Sequence, residues 1–337
     1  MTTNGTRVSR RQYLAGTGSA VAVGLAGCLG DNDGIDLAYM PIFPDLQWFV
    51  MDEEGYLDDV GAEIDAQEFT DGPAIVQAYG SGDIDIAMFG ILPAMTVIDR
   101  GIGAKVTAAN IKEPMAIMAD SDLRSLWADH GNEAFELWEQ QHGEQFTFGT
   151  FPQGSVPDLL LRFWLSDILD DDPEDVVTIT ELGGANAVFQ AIAAGEVDGT
   201  SIMEPVPSRA RAENLDVQTM LPASEIMPGQ PAAVTLMSDE VREAETATEF
   251  VRQHQRATTF IGDNPDRTAE IIEDRIGMPA DQARQALAGE FANFLTDPRE
   301  IESGTGVFAE MGHERGQLDR SLSSGDIFDY SVYESLG

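Results

Sequence analysis

The chain has 337 residues, 43% of them hydrophobic, and a formal net charge of −40 from 59 acidic against 19 basic residues. No basic patch is available to neutralise phosphates, which excludes nucleic-acid binding, and the length exceeds one ordinary core and suits two domains. Four scattered histidines and a single cysteine supply neither a metal-ligand set nor a nucleophile constellation, so no catalytic residue, metal or cofactor is assigned.

Residues 1–27 read as an address. Ser9-Arg10-Arg11-Gln12-Tyr13-Leu14 is a twin-arginine signal pattern, and the apolar run from Tyr13 to Gly27 is shorter than the ~20 residues of a membrane-spanning helix. Leu25-Ala26-Gly27-Cys28 has the form of a lipobox, which makes Cys28 a lipid attachment site; a small-residue cleavage site with an incidental cysteine is the alternative. Residues 28–34 would be the tether. The expected location is the outer face of the cytoplasmic membrane, held by a two-chain lipid because a single acyl chain binds only marginally. Three arginines and no acid precede Cys28, so the mature chain is near −43, with Lys105 and Lys112 its only lysines. Molar salt screens such self-repulsion, the Debye length being about 3 Å at 1 M, and the economical reading is a halophile. The acid runs Asp52-Glu53-Glu54 and Asp170-Asp171-Asp172 are then solvated surface.

From Ile35 onward the chain alternates strand and helix. A strand from Ile35 to Met40 leads through Pro41–Pro44 into a helix from Leu46 to Glu54, stopped by Gly55. Ala62 to Phe69 is a strand. Thr70-Asp71-Gly72-Pro73 opens a helix that ends near Gly80–Gly82, and Ile84 to Phe89 is a buried strand closing at Gly90. Segment 120–145 is polar and helix-like, holds Trp127 and Trp138, and is expected to be a surface insertion. Phe146 to Thr150 is a strand. Ser155-Val156-Pro157-Asp158 matches a capping pattern before the apolar helix Leu159 to Leu169. A strand from Val176 to Leu182, a helix from Ala185 to Ala194 and a strand from Val197 to Met203 follow. Val234 to Met237 is a strand returning to the first lobe, and helices cover 246–264, 268–276 and 279–294.

A repeat at an offset of 113 residues organises this pattern. Gln77-Ala78 and Gly82-Asp83-Ile84-Asp85 recur as Gln190-Ala191 and Gly195-Glu196-Val197-Asp198, and Pro44-Asp45-Leu46 recurs as Pro157-Asp158-Leu159. Two such α/β units with parallel sheets imply two lobes with a ligand between them, lobe 1 being 35–112 with 232–337 and lobe 2 being 113–231. Ligands of open α/β sheets sit beyond the carboxyl ends of the strands, which selects six loops in three pairs: Met40–Asp45 with Phe151–Asp158, Thr70–Pro73 with Gly183–Asn186, and Gly90–Pro93 with Met203–Val206. Helix N-termini in these loops are ready anion seats.

Candidate ligand-binding residues follow from that placement: Met40, Phe43, Asp45, Thr70, Asp71, Gly90, Ile91, Phe151, Gln153, Gly154, Ser155, Asn186 and Glu204. Ser155, Gln153, Thr70 and Asp71 are each either helix caps or ligand contacts. Gly90 marks close backbone approach or a plain strand end. Glu204 stands where the first copy has Ile91, and a carboxylate facing the cleft would pair with an amine, amidine or protonated ring. Phe43, Phe89 and Phe151 would wall an aromatic pocket or pack in the core. No lysine or arginine falls in the six loops.

These motifs resemble the nitrate/sulfonate/taurine solute-binding proteins of ABC importers, a group that includes binders of thiamine-pyrimidine precursors, in the form of a haloarchaeal-type lipoprotein. The resemblance rests on Gly55-Tyr56-Leu57 through Phe69, Gly72-Pro73, Phe148-Gly149-Thr150, Gly154-Ser155, Glu204-Pro205, Asn264-Pro265 and the ending Gly316-Gln317-Leu318 to Phe328-Asp329. It departs at Met203, where an aromatic is usual, and at His142-Gly143-Glu144-Gln145 in place of a lysine-containing turn. The resemblance implies a type II periplasmic-binding-protein fold, hinge closure on a small organic solute or oxyanion of the sulfonate, nitrate or pyrimidine-precursor class, and an ABC permease with its ATPase as partners of a monomer. An enzyme on the same fold, related to thiamine-pyrimidine synthases, is the alternative; export argues against it, as does the absence of a lysine in any cleft loop to anchor a Schiff base.

Overall fold

A computed structural model describes residues 34–169 and 172–337; the twin-arginine signal, Cys28, most of the 28–34 tether, Asp170 and Asp171 lie outside the described residues. Ten strands run in chain order: β1 Gly34–Tyr39, β2 Glu63–Glu68, β3 Ile86–Gly90, β4 Ala104–Lys112, β5 Met115–Ala119, β6 Thr147–Thr150, β7 Thr178–Glu181, β8 Gly199–Met203, β9 Gln218–Pro222 and β10 Pro231–Ser238. They form two five-stranded sheets of the same design, ordered β2-β1-β3-β10-β4 and β7-β6-β8-β5-β9. In each, four strands run in one direction and a single antiparallel strand enters fourth: β10 between β3 and β4, β5 between β8 and β9. The antiparallel strand belongs in both cases to a segment that crosses between lobes, through Glu113–Pro114 on the outward path and Gly229–Gln230 on the return.

The repeated Gly-acid-aliphatic-Asp motif has a structural cause. Gly82 and Gly195 end their helices in the left-handed region, at φ 80° and 68°, where a side chain would be strained. Three residues on, Asp85 and Asp198 turn back to the neighbouring strand. Asp85 accepts from the Asp36 N–H at 3.1 Å and Asp198 from the Thr147 N–H at 2.9 Å, while their own N–H groups donate to the carbonyls of Asp36 and Thr147 at 2.8 Å. Each clasp sets the register of β3 on β1 or of β8 on β6.

Local signals placed most helix ends well. Asp71 caps the Gly72–Ser81 helix by accepting from Ala74 N at 2.8 Å. Ser155 accepts from Asp158 N at 3.4 Å, and the helix it leads starts at Val156, three residues before the expected Leu159. The strand expected over 176–182 shortens to β7 because Pro173–Val176 makes a helical turn capped by Asp172. The helix expected over 279–294 ends at Leu287, since Asn293 to Thr296 is drawn out along the edge of β4, with Leu295 N donating to Asn110 O and Ala109 N to Thr296 O, both at 3.1 Å. Strands β4, β5 and β9 had no expectation attached to them.

Two other expectations are corrected. Segment 120–145 is not a surface insertion: its helices Ser121–His130 and Ala134–His142 bring Leu123, Phe135 and Trp138 into a separate aromatic core of lobe 2. Phe135 stands 5.8–6.2 Å from the rings of Phe146, Phe148, Trp127 and Trp164 there, and the polar residues occupy the outer helical faces. The run Asp52-Glu53-Glu54 is not merely solvated. Arg275 bonds Asp52 at 2.6 Å and Glu53 at 2.9 Å, and Arg267 bonds Glu54 at 2.8 Å, tying the Pro265–Ile276 helix to the Leu46–Glu53 helix. Such partly exposed pairs contribute about 0–1 kcal/mol each.

Because the two acid clasps are equivalent, Asp85→Ala and Asp198→Ala should each cost about 1–3 kcal/mol in urea unfolding, the strand N–H being left without its charged acceptor. A loss below about 0.5 kcal/mol in both variants would refute the clasp as the reason for the repeat.

Candidate functional site

The carboxyl ends of the two sheets face one another across a cleft of about 480 Å³ that is open to solvent. Five of the six loops reach it. Met40, Ile42 and Pro44 follow β1, Asp71 to Pro73 follow β2, and Gly90 and Pro93 follow β3; Phe151, Pro152 and Ser155 to Pro157 follow β6, and Met203 ends β8. Gly183–Asn186 does not reach it. The wall is apolar save for the Ser155 hydroxyl and the Asp71 carboxylate, which is occupied as a cap. The lobes touch here: a Cβ built on Gly90 would lie 3.2 Å from Val156 Cγ2 of the opposite lobe.

Of the candidate residues, Met40, Asp71, Gly90, Phe151 and Ser155 come together on this wall. Phe43 does not; it is buried against Phe294 at 5.2 Å between ring centres, and Phe89 and Ile91 are likewise core. Asp45 is fully buried and holds its own loop. Thr70 is exposed and bonds to Asp71 at 3.2 Å. Gln153 and Gly154 line a separate polar cavity, and Asn186, exposed, accepts from Arg209 at 2.9 Å, whose guanidinium stacks 3.8 Å over Phe189. Glu204 is 2% exposed, is not on the cleft wall, and has both oxygens engaged: Ser208 donates its N–H at 3.0 Å and its hydroxyl at 2.8 Å. Burial raises its pKa against these two bonds and the field of Arg211. A turn of helix therefore satisfies the carboxylate that was expected to meet an amine. Ala232 and Ala233, at the start of β10, line the cleft without having been anticipated. They have no local signature and arrive only through the return crossing, whereas Pro44 and Pro157 were legible in the repeat.

Behind the Met40–Asp45 loop lies a buried polar network. Asp45 accepts from Met40 N at 3.3 Å and from the Asn110 amide at 3.1 Å. The Asn110 oxygen accepts from Thr235 at 2.9 Å and from His254 Nε2 at 3.1 Å, and His254 Nδ1 accepts from Thr296 at 3.1 Å. Burial lowers the pKa of His254 to about 3, so the ring is neutral, with its proton on Nε2. Gln47 completes the set by donating to Asn110 O at 2.7 Å. This network joins a cleft loop to β4, β10 and the Glu245–Asp263 helix. Among the described residues, no group of three or more His, Cys, Asp or Glu side chains is placed to hold a metal ion.

A family model described as NMT1-like matches residues 31–274. The chain belongs to the NMT1-like family. No curated protein matches it in sequence. Among solved structures it is similar to the ligand-binding component of an ABC-type import system from Staphylococcus aureus, crystallised with zinc bound, at 18% identity and a TM-score of 0.73 over 90% of this chain and 99% of that one. The periplasmic nitrate-binding protein NrtA of Synechocystis PCC 6803 gives 13% identity and a TM-score of 0.74 over 90% and 88%. The periplasmic aliphatic sulphonate-binding protein SsuA of Escherichia coli gives 15% identity and 0.70 over 88% and 92%. The fold of this NMT1-like protein is thus the two-lobed periplasmic-binding-protein fold, and among its described residues no helix is long and apolar enough to cross a membrane.

Asp45 gives the network a pH signature. Burial, opposed by its two hydrogen bonds, pushes its pKa from 3.8 up to about 7. The folded state then binds more protons than the unfolded one between these values, so this group's contribution to stability falls as pH rises from 3.8 to about 7. Asp45→Asn removes that slope. The stability of the variant relative to wild type should improve with rising pH across this window, by at most about 1.36 kcal/mol per pH unit. A difference constant with pH, measured by urea unfolding in molar salt, would refute the raised pKa.

Proposed function

We propose that the protein is an exported solute-binding lipoprotein, anchored through Cys28, that captures a small organic solute by hinge closure and delivers it to an ABC permease and its ATPase. The observation that carries this reading is the cleft itself: loops from both sheets, opposed across a short gap, with a wall contributed by both lobes. Opposed faces whose chain crossings are Glu113–Pro114 and Gly229–Gln230 suit closure about a hinge. The resemblance to import-system binding proteins supports delivery to an importer, and the twin-arginine and lipobox patterns support export and anchoring. The extreme acidic balance supports work in molar salt.

The wall chemistry narrows the solute class. Met40, Ile42, Phe151, Val156, Met203 and several prolines favour an apolar or aromatic body, with Ser155 offering one hydroxyl for orientation. No charged side chain other than the occupied Asp71 stands on the wall, so a heterocycle or a solute with a compact polar edge fits better than bare nitrate. The enzymatic alternative gains nothing from the lysines. Lys105 Nζ donates to the carbonyls of Gly325 and Asp326, and Lys112 Nζ is paired with Glu300 at 2.7 Å.

Native mass spectrometry of protein purified in molar potassium chloride should reveal a co-purified solute, and that solute should raise the melting temperature without being turned over. Turnover of the bound compound would overturn the reading. Gly90→Val places methyl groups where Val156 of the other lobe must approach. It should weaken solute binding at least tenfold; undiminished affinity would exclude closure at this contact.

A further inference from the structure

A second cavity opens beside the cleft and shares Pro73 and Pro93 with it as a common wall. It encloses about 830 Å³ open to solvent, and its polar lining is Gln77, Thr96, Arg100, Gln153, Arg315 and Gln317. No carboxylate lines it. In a chain with 59 acidic and 19 basic residues, a concavity holding two arginines and no acid runs against the composition.

Most of the described arginines are paired with carboxylates, Arg124, Arg209 and Arg211 being exceptions away from this cavity. Arg162, Arg242, Arg256, Arg267 and Arg275 each stand within salt-bridge distance of one or more carboxylates. Among the described residues, Arg100 and Arg315 have no carboxylate at that distance. Arg315 instead crosses to lobe 2 and donates to two neutral acceptors, the Ser166 hydroxyl at 2.5 Å and the Arg162 carbonyl at 3.3 Å. Burial and the nearby Arg162 charge lower its pKa, the mark of a cation whose lost hydration is not fully compensated. Gln317 adds a side-chain amide whose nitrogen and oxygen are both shielded from solvent and without a partner. Unpaired donors around a desolvated guanidinium are the surroundings an oxyanion restores, because the planar fork of arginine matches carboxylate, sulfonate and phosphate oxygens.

We propose that this cavity is a second, anion-binding site, in which Arg100 and Arg315 hold a small oxyanion and the Gln77, Gln153 and Gln317 amides complete its hydrogen bonds. Gln153 belongs to the loop after β6 in lobe 2, and Arg100 follows the Ile91–Asp99 helix of lobe 1, so a bound anion touches both lobes and favours their approach. The site is separate from the apolar wall of Met40, Phe151 and Met203, and the proposal does not depend on which solute that wall accepts.

Selenate, an oxyanion with an anomalous scatterer, is the probe. Crystals grown in molar potassium chloride and soaked in sodium selenate should show a selenium peak within hydrogen-bond reach of the Arg100 and Arg315 guanidinium groups. In solution, the affinity for sulfate, followed by tryptophan fluorescence, should fall at least tenfold in Arg100→Gln, with the melting temperature in the absence of sulfate unchanged. A selenium peak confined to the apolar cleft, no peak at all, or equal sulfate affinity in wild type and Arg100→Gln would each overturn the proposal. Should Arg315→Gln unfold through loss of its bonds to lobe 2, the exposed Arg100 position still decides the question.

Discussion

The arrangement depends on one backbone pairing, the insertion of β10 between β3 and β4. It pairs Ala233 with Gly90 and Thr235 with Met88 on one side, and Val234 with Ala109 on the other. The chain has by then left the first sheet at Lys112 and built the whole of the second. Returning as the antiparallel member, β10 enters at the end where β1 and β3 finish, so its first residues, Ala232 and Ala233, arrive on the cleft wall. The outgoing segment does the same for the second sheet, where β5 pairs with β8 and β9. Exchanged strands of this kind oblige the carboxyl ends of both sheets to face one another, and a cleft between them follows from topology.

The buried polar groups of lobe 1 cluster around that pairing. Asn110 on β4 and Thr235 on β10 bond across the ladder at 2.9 Å, and His254 and Asp45 extend the contact to a long helix and to a cleft loop. A neutral histidine and a buried carboxylate are expensive when unpartnered, so the network admits few alternative packings. The charged residues outside the core serve differently. Arginines of the C-terminal helices fasten onto the acid run at Asp52–Glu54, each pair adding little by itself, while Arg100 and Arg315, which have no carboxylate at salt-bridge distance among the described residues, lie together beside the cleft.

Wherever a feature was local, the sequence was a good guide. Capping by Asp71, helix termination at Gly82 and Gly195, and the alternation of strand and helix all follow from short-range sterics and hydrogen bonding, and the 113-residue repeat registers five of the loops that reach the cleft. The site was less legible. Glu204 stood out chemically against Ile91 in the other copy, yet its carboxylate is satisfied by Ser208 one turn later in the helix. Phe43 read as either an aromatic wall or a core residue, and only its contact with Phe294, more than two hundred residues away in sequence, decides for the core. The polar segment 120–145 read as an insertion because its apolar positions are few; Leu123, Ala134, Phe135 and Trp138 are nevertheless buried in one aromatic core, with Leu126 and Trp127 packed against it.

The sequence by itself determined the two α/β units, their repeat and the strand ends from which a ligand site is built, because caps, glycine turns and hydrophobic periodicity act over a few residues. Which side chains stand on the cleft wall was decided only by tertiary structure. The crossing strands deliver Ala232 and Ala233, Ser208 withdraws Glu204, and Arg315 is carried from the end of a late helix to meet the opposite lobe. Each of these depends on a contact between segments that pairing and packing bring together, and no local pattern in the chain encodes it.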